Sequence, residues 1–380
     1  MKDIGVIGGG VIGLTTAFVL EKYGDDNQSV TVLEKENQFG SKSTTAAGCG
    51  LRTVYSHPTN VELARKGLQF WRNADSILGG SIGFRENGYL FLTNSDKKKQ
   101  KLASLEESQK SYGIPAESEN PPSRRHIPKL NSQNYSFSLF SSRAALASPE
   151  KIVDALKSSL KSSGTNLRSG SEVVNLRNDE ESVVVETQDD ESSFDYVVNA
   201  CGPWANEIAE MTGSQLPTRN SRRRLALLDL NLPEDAPLTV DIDTGVYILP
   251  TEDGNVLAGG HLIESNDNYQ ASDPESYSTE HSQEWNRKFN QNSGRLLDSL
   301  PESTVVESWT GLYTLTPSRI PVIDKRERMI HAAGFSGHGI MQAPGAAMLI
   351  ARMLSRNSSH TDMFATLSAD RQEPEQDLQF

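Results

Sequence analysis

Only two cysteines, Cys49 and Cys201, occur in 380 residues, which leaves no basis for a disulfide framework or a cysteine-rich metal site. No uncharged run approaches the ~18–20 residues that cross a bilayer, so no membrane span is expected. The chain enters a strand-like stretch at once, leaving no room for a signal peptide, and the expected location is cytoplasmic. Positive charge is also scarce. Lys and Arg number 37 against 50 Asp and Glu, a net charge of −13, which argues against nucleic acid or an anionic membrane as partner. An anionic substrate would need arginines of its own at the site. The length suits two domains or one large discontinuous unit better than a single core. No internal repeat is present.

What is there begins with glycine. Ile4–Ile7 reads as a short buried strand, and the run from Val11 to Leu20 carries apolar residues at helical spacing. Between them Gly8, Gly10 and Gly13 satisfy G-x-G-x-x-G. The first glycine serves a tight turn, the second lets backbone approach a pyrophosphate, and the third lets helix and strand pack closely. Val11 and Ile12 open a helix whose free N–H groups and positive dipole end face the phosphates. A second strand, Val30–Leu33, ends at Glu34, 21 residues after Gly13. There an acidic side chain meets the ribose hydroxyls of NAD or FAD. A dinucleotide is expected to bind here.

Beyond Glu34, the segment from Phe39 to Gly50 is rich in Gly, Ser, Thr and Ala, which permits close approach to a flat ligand or makes a plain flexible loop. The spacing predicts a helix over 61–71, a strand at Tyr89–Leu92 and a solvated helix from Lys97 to Tyr112. Residues 113–147, with Pro115, Pro121, Pro122 and Pro128, read as turn-rich. Pro149 opens a helix from Glu150 to Leu160. Strands are expected at 172–176, 183–187 and 196–200, and a strand-rich portion spans 222–309, with 245–250 paired to 255–260. The tail from Leu367 is polar and acidic, and is expected to be disordered.

A second glycine turn, Gly334-Phe335-Ser336-Gly337-His338-Gly339-Ile340, follows the apolar stretch Met329–Ala333 and precedes a helix expected from about Ala343 to Leu354. Reduction of a flavin makes its N1–C2=O edge anionic, and a second helix dipole with backbone N–H groups suits that charge. Two such turns at opposite ends of the chain favour FAD over NAD.

With these motifs the chain resembles the FAD-dependent oxidoreductases of the D-amino-acid oxidase superfamily, in the branch of sarcosine oxidase, glycine oxidase and D-amino-acid dehydrogenase. The matching pieces are Val6 to Gly13, Glu34, Gly50-Leu51-Arg52, Val197 to Ala205, Tyr313-Thr314-Leu315-Thr316-Pro317 and Gly334 to Gly339. They keep the family order and reach from residue 4 to about 350. The resemblance implies an α/β fold with a Rossmann-like FAD-binding domain of the GR2 type, interleaved with a β-rich α+β substrate domain. The FAD domain would comprise 1–80, 148–220 and 313–365, the substrate domain 81–147 and 221–312, and 366–380 the disordered tail. It implies oxidation of the C–N bond of a D-amino acid, an N-methylated amino acid or an imino acid. Hydride would pass to flavin N5, giving an imine that hydrolyses.

By the same resemblance FAD would contact Lys35, Ser43, Thr44, Gly50, Leu51, Val173, Gly202, Trp204 and His338, besides the two turns. Arg52 matches an arginine on the substrate side of the flavin, where a guanidinium grips a carboxylate bidentately; a packing arginine is the alternative. Arg319 stands as a second candidate clamp, with a structural role as the other reading. His261 aligns with a family histidine near the substrate, and Tyr247 and Tyr313 fall in cavity-lining strands or serve as core aromatics.

Three positions depart from the pattern. Gly311 replaces a cysteine that bonds the flavin in monomeric sarcosine oxidase, so FAD is expected to be non-covalent. Leu257 and Met341 replace lysines tied there to oxygen activation and carboxylate binding. The electron acceptor is thus oxygen or an electron-transfer partner, and an acceptor-linked dehydrogenase fits the substitutions. Alternative readings are a 2-hydroxy-acid or glycerol-phosphate dehydrogenase on the same scaffold, and a flavoprotein subunit or assembly factor whose FAD is structural. An NAD-dependent dehydrogenase is a third, which a yellow preparation would remove.

Overall fold

The computed structural model describes residues 2–25, 27–260, 262, 273–277, 283–355, 362–372 and 374. Among them, a six-stranded sheet runs in the order Val322–Arg326, Met329–Ala333, Tyr196–Asn199, Lys2–Ile7, Gln28–Leu33, Asn166–Arg168. Its pairings are parallel except that of the edge strand Val322–Arg326. Strand residues alternate between two buried faces, as the pleat requires. Ile4, Val6, Val30, Val32, Val198 and Ile330 face a cluster shared with the helices Val11–Tyr23, Pro58–Arg72, Pro149–Ser162 and Gly339–Leu354. Ile7, Leu33, Val197 and Met329 face the other way, onto the three-stranded sheet Val173–Asn178, Val183–Thr187, Glu191–Phe194.

The second large sheet has eight strands, in the order Thr304–Leu315, Arg219–Asp229, Val256–Gly260, Val246–Pro250, Leu238–Asp241, Tyr89–Thr93, Phe137–Ser141, Ala116–Glu119. One face buries Leu90, Leu92, Val246, Ile248 and Val256 with Trp285 and Phe289 of the helix Gln283–Ser293. The opposite face carries Tyr89, Phe91, Leu238, Val240 and Leu257, partly covered by Leu102 and Leu105 of the helix Asp96–Ser111. Neither large sheet is drawn from one continuous stretch of chain. Among the described residues no helix is long and apolar enough to cross a membrane.

Several elements differ from the sequence reading. The proline-punctuated region 113–147 holds the strands Ala116–Glu119, Phe137–Ser141 and Ala145–Leu146, with Pro121, Pro122 and Pro128 between them. The prolines end strands there but do not exclude them. Strands Arg219–Asp229 and Thr304–Leu315 straddle the boundaries drawn at 220/221 and 312/313. The last long helix starts at Gly339, four residues before Ala343, although Pro344 lies inside it. Pro344 has no N–H for the carbonyl of Ile340, and the Trp71 indole N–H donates to that carbonyl at 2.8 Å in its place. Of the tail, residues 367–372 and 374 are described, and Leu367 is fully buried. Arg371 donates to the carbonyls of Ile320 at 2.8 Å and Pro321 at 3.1 Å.

Candidate active site

The first glycine turn is closed by backbone contact. Gly8 takes φ +104°, and a Cβ there would lie 2.5 Å from the carbonyl oxygen of Ala200. At Gly13 a Cβ would come within 1.8 Å of the carbonyl oxygen of Gly8. Gly10 is different, because the nearest atom to a Cβ would be Thr44 Oγ1 at 3.3 Å. Space therefore opens from Gly10 into a cavity, and the N-terminus of the helix Val11–Tyr23 points there, its Val11 N–H donating to Thr44 Oγ1 at 3.0 Å. Glu34 closes this end. Its Oε2 accepts the Gly9 N–H at 2.6 Å and its Oε1 accepts the Glu36 N–H at 2.8 Å. Burial raises the Glu34 pKa, while the two backbone donors pull it down.

Lys35 and Trp204 line the same end, with the ammonium 4.0 Å from a ring centroid of the indole. Glu275, reaching in from residues 273–277, pairs with Lys35 and accepts the Trp204 indole N–H.

The second turn bounds the cavity from the far end of the chain. Gly334, Ser336 and Gly337 all take positive φ, at +71°, +54° and +86°. The turn is pinned to the neighbouring strand by Ser336, whose N–H donates to the Thr314 carbonyl at 2.9 Å. His338 caps the helix Gly339–Leu354, its N–H on the Phe335 carbonyl at 2.8 Å and its ring edge-on to Tyr55 at 4.8 Å. The helices Val11–Tyr23 and Gly339–Leu354 pack on each other, so two helix N-termini open on one cavity.

Between the turns lies an apolar pocket edged by tyrosines. Leu238, Val240, Tyr89 and Tyr247 project from the eight-stranded sheet, Leu312 and Tyr313 from its edge strand, and Arg52 and Met341 complete the wall. Arg52 is buried, 4% exposed, with its guanidinium 4.2 Å from the Tyr55 ring centroid and donating to the Val54 carbonyl. The Tyr55 hydroxyl in turn donates to Met341 Sδ at 2.6 Å. Burial raises the pKa of Tyr89, Tyr247 and Tyr313. All three hydroxyls stay neutral through the physiological range. Cys49 and Cys201 also line the cavity, and burial pushes both thiols far above the thiolate range.

Of the residues expected at the cofactor, Gly8, Gly10, Val11, Ile12, Glu34, Lys35, Ser43, Thr44, Gly50, Val173, Gly202, Trp204, Gly334, Ser336, Gly337, His338, Gly339 and Ile340 line this cavity. Gly13 and Leu51 do not: Gly13 closes the turn and Leu51 is fully buried in the core. Arg52, Tyr247 and Tyr313 come together at the substrate end. Arg319 is separate, fully buried at φ +66° outside the cavity wall, its carbonyl accepting from Asn60 Nδ2 at 3.2 Å. His261 lies outside the described residues. Tyr89 was missed by the sequence reading. Its hydroxyl fills the space over Gly50, where a Cβ would be 1.6 Å from it. A tyrosine within an apolar strand was the available signal.

The glycine cradle, the paired helix termini and the Glu34 carboxylate at one end of the cavity suit an extended dinucleotide. Such a fold and cavity define a flavin-dependent oxidoreductase. Residues 3–353 match the DAO family, FAD dependent oxidoreductase, and the chain belongs to that family. Its cofactor is FAD.

The chain is 23% identical over 405 residues to FAD-dependent oxidoreductase domain-containing protein 1 of Bos taurus, covering 93% of this chain and 81% of that protein. Among solved structures, L-proline dehydrogenase from P. horikoshii has a TM-score of 0.86 at 25% identity, over 97% of this chain and 96% of that one. Glycine oxidase from Geobacillus kaustophilus shares the fold at a TM-score of 0.84 and 22% identity, over 98% of this chain and 100% of that one.

Proposed function

We propose that this protein oxidises the C–N bond of an amino acid with a small, uncharged side chain, an imino acid such as proline being the favoured case. The observation that carries this reading is Arg52, a buried guanidinium in the wall of an otherwise apolar, tyrosine-edged pocket. A guanidinium so placed binds a carboxylate through charge-assisted hydrogen bonds. Leu238, Val240 and Met341 offer apolar surface to the rest of the molecule. The Tyr247 and Tyr313 hydroxyls, neutral at working pH, orient the nitrogen by hydrogen bonding. The amino-acid reading draws support from the relatives named as L-proline dehydrogenase and glycine oxidase.

FAD, when bound, supplies the two-electron acceptor. The absence of a thiol at Gly311 supports binding without a covalent bond. Leu257 is buried and would lie 3.5 Å from a Cβ at Gly48, so no cation stands at the position tied to oxygen activation. This favours an electron-transfer acceptor over oxygen.

The test is anaerobic mixing of the yellow holoenzyme with proline, N-methylated amino acids, glycine and D-amino acids, with glycerol 3-phosphate and 2-hydroxy acids as competing arms. An amino or imino acid is expected to bleach the visible flavin absorbance. Bleaching by glycerol 3-phosphate or a hydroxy acid alone, or by none, overturns the reading. Arg52→Met is expected to raise the substrate concentration needed by roughly 10²-fold with FAD content unchanged.

A further inference from the structure

Tyr313 is gripped from two sides, by Arg223 behind the pocket and by Gly337 of the second glycine turn. It pairs with Ser221 across the strands Thr304–Leu315 and Arg219–Asp229. Arg223, two residues along that second strand, lays its guanidinium 5.1 Å from the Tyr313 ring centroid. That guanidinium is anchored on its own strand, Nη1 donating to Ser221 Oγ at 2.7 Å and to the Arg222 carbonyl at 2.8 Å. The edge of the tyrosine ring abuts Gly337 of the second glycine turn, where a Cβ would lie 2.2 Å from Cε2. Gly337 has φ +86°, so both its conformation and its contact with the ring require glycine.

Arg223 is 8% exposed and does not line the cavity, whereas Tyr313 does. The fields of Arg223 and Arg52 both reach Tyr313; of these two arginines, Arg223 also reaches Tyr247 and Arg52 also reaches Tyr89. Tyr313 thus feels two arginines, one in the pocket wall and one behind it.

We propose that Arg223 is a positioning residue for substrate recognition: stacked on Tyr313 and tied to its own strand, it fixes the tyrosine beside Arg52 and so sets how tightly a carboxylate ligand is held. The physical basis is twofold. A guanidinium over an aromatic face is attractive, more so when desolvated. A ring fixed before binding loses less rotational freedom on meeting its ligand. The inference rests on the carboxylate-binding reading of the Arg52 pocket and adds a residue that does not itself touch the ligand.

The experiment titrates holoenzyme with pyrrole-2-carboxylate and follows the perturbation of the visible flavin spectrum, which needs no turnover. Arg223→Met is expected to weaken binding by about 10-fold with the FAD-to-protein ratio unchanged. Tyr313→Phe is expected to weaken it as well, and adding Arg223→Met to Tyr313→Phe is expected to cost little more, because both act through one hydroxyl. Arg223→Lys, which cannot keep both strand anchors while lying on the ring, is expected to fall between wild type and Arg223→Met. Should Arg223→Met lose its flavin, Arg223→Lys decides: wild-type affinity in that variant overturns the proposal. So do unchanged affinity in Arg223→Met and fully additive losses in the double variant. Failure of the wild type to bind the probe overturns the pocket reading together with this proposal, whereas normal wild-type binding with an indifferent Arg223 overturns this proposal alone.

Discussion

His331 shows how much a single buried ring can contribute to acid sensitivity. It is fully buried on the strand Met329–Ala333, with Nδ1 3.3 Å from Asn199 Nδ2. Burial pushes its pKa down to about 4, with Asp324 working against the shift and Arg326 with it. The folded state therefore resists protonation that the unfolded chain accepts near pH 6.5. Stability from this group is complete above pH 6.5 and is lost as pH falls toward 4. Chemical denaturation at pH 7 and pH 4 is expected to show a loss in wild type on the order of 3 kcal/mol larger than in His331→Phe. The variant starts less stable at pH 7, because the Asn199 amide loses its ring partner, but it declines less. At the same scale, Arg52→Lys is expected to keep charge yet lose the planar fork, so KM for a carboxylate substrate rises while the flavin spectrum stays put.

Among the elements, the two strand–turn–helix units line one cavity, and their glycines set the tolerance. Gly13→Ala would drive a methyl group into the Gly8 carbonyl, 1.8 Å from the ideal Cβ position. It is expected to yield protein with a much reduced ratio of flavin to protein absorbance. On the eight-stranded sheet, Leu257→Lys is expected to speed reoxidation of the reduced enzyme by oxygen, measured by stopped flow, at a cost in stability for burying an ammonium. The turns were readable because their chemistry is local: glycine spacing, flanking apolar strands and an acidic residue at a set distance. Arg52 was readable through a resemblance that rests on its neighbours Gly50 and Leu51. Arg223 and Tyr89 were not, because their value depends on which strand faces them. The three arginines at 222–224 carry no mark of which one looks toward the pocket until Arg223 is paired with Gly311 and stacked beside Tyr313. The strand Phe137–Ser141 was hidden by nearby prolines, whereas its pairing with Tyr89–Thr93 is a long-range event. Arg319, which lies outside the matched motifs and had a structural role as its other reading, is fully buried away from the cavity wall.

Across the whole molecule, FAD binding is linked to folding, since both glycine turns and the small-residue loop line one cavity. Adding FAD to apoprotein is expected to raise the Tm progressively, by about 1.4 kcal/mol of stability for each tenfold excess over its Kd. NAD at the same concentrations is expected to leave the Tm unchanged. Acid precipitation of the holoprotein is expected to release the yellow colour into the supernatant, as non-covalent binding requires; colour retained in the pellet would contradict it. The strand order has a further consequence for how the protein is made. Met329–Ala333 lies two places from Lys2–Ile7 in the sheet, yet at roughly 5–20 residues per second the ribosome delivers the two turns tens of seconds apart. Until Gly334–Gly339 is made, the nascent chain offers FAD one phosphate-facing turn without its counterpart. Coenzyme loading thus waits for translation of the Gly334–Gly339 turn, and a product terminated before that turn leaves the ribosome colourless.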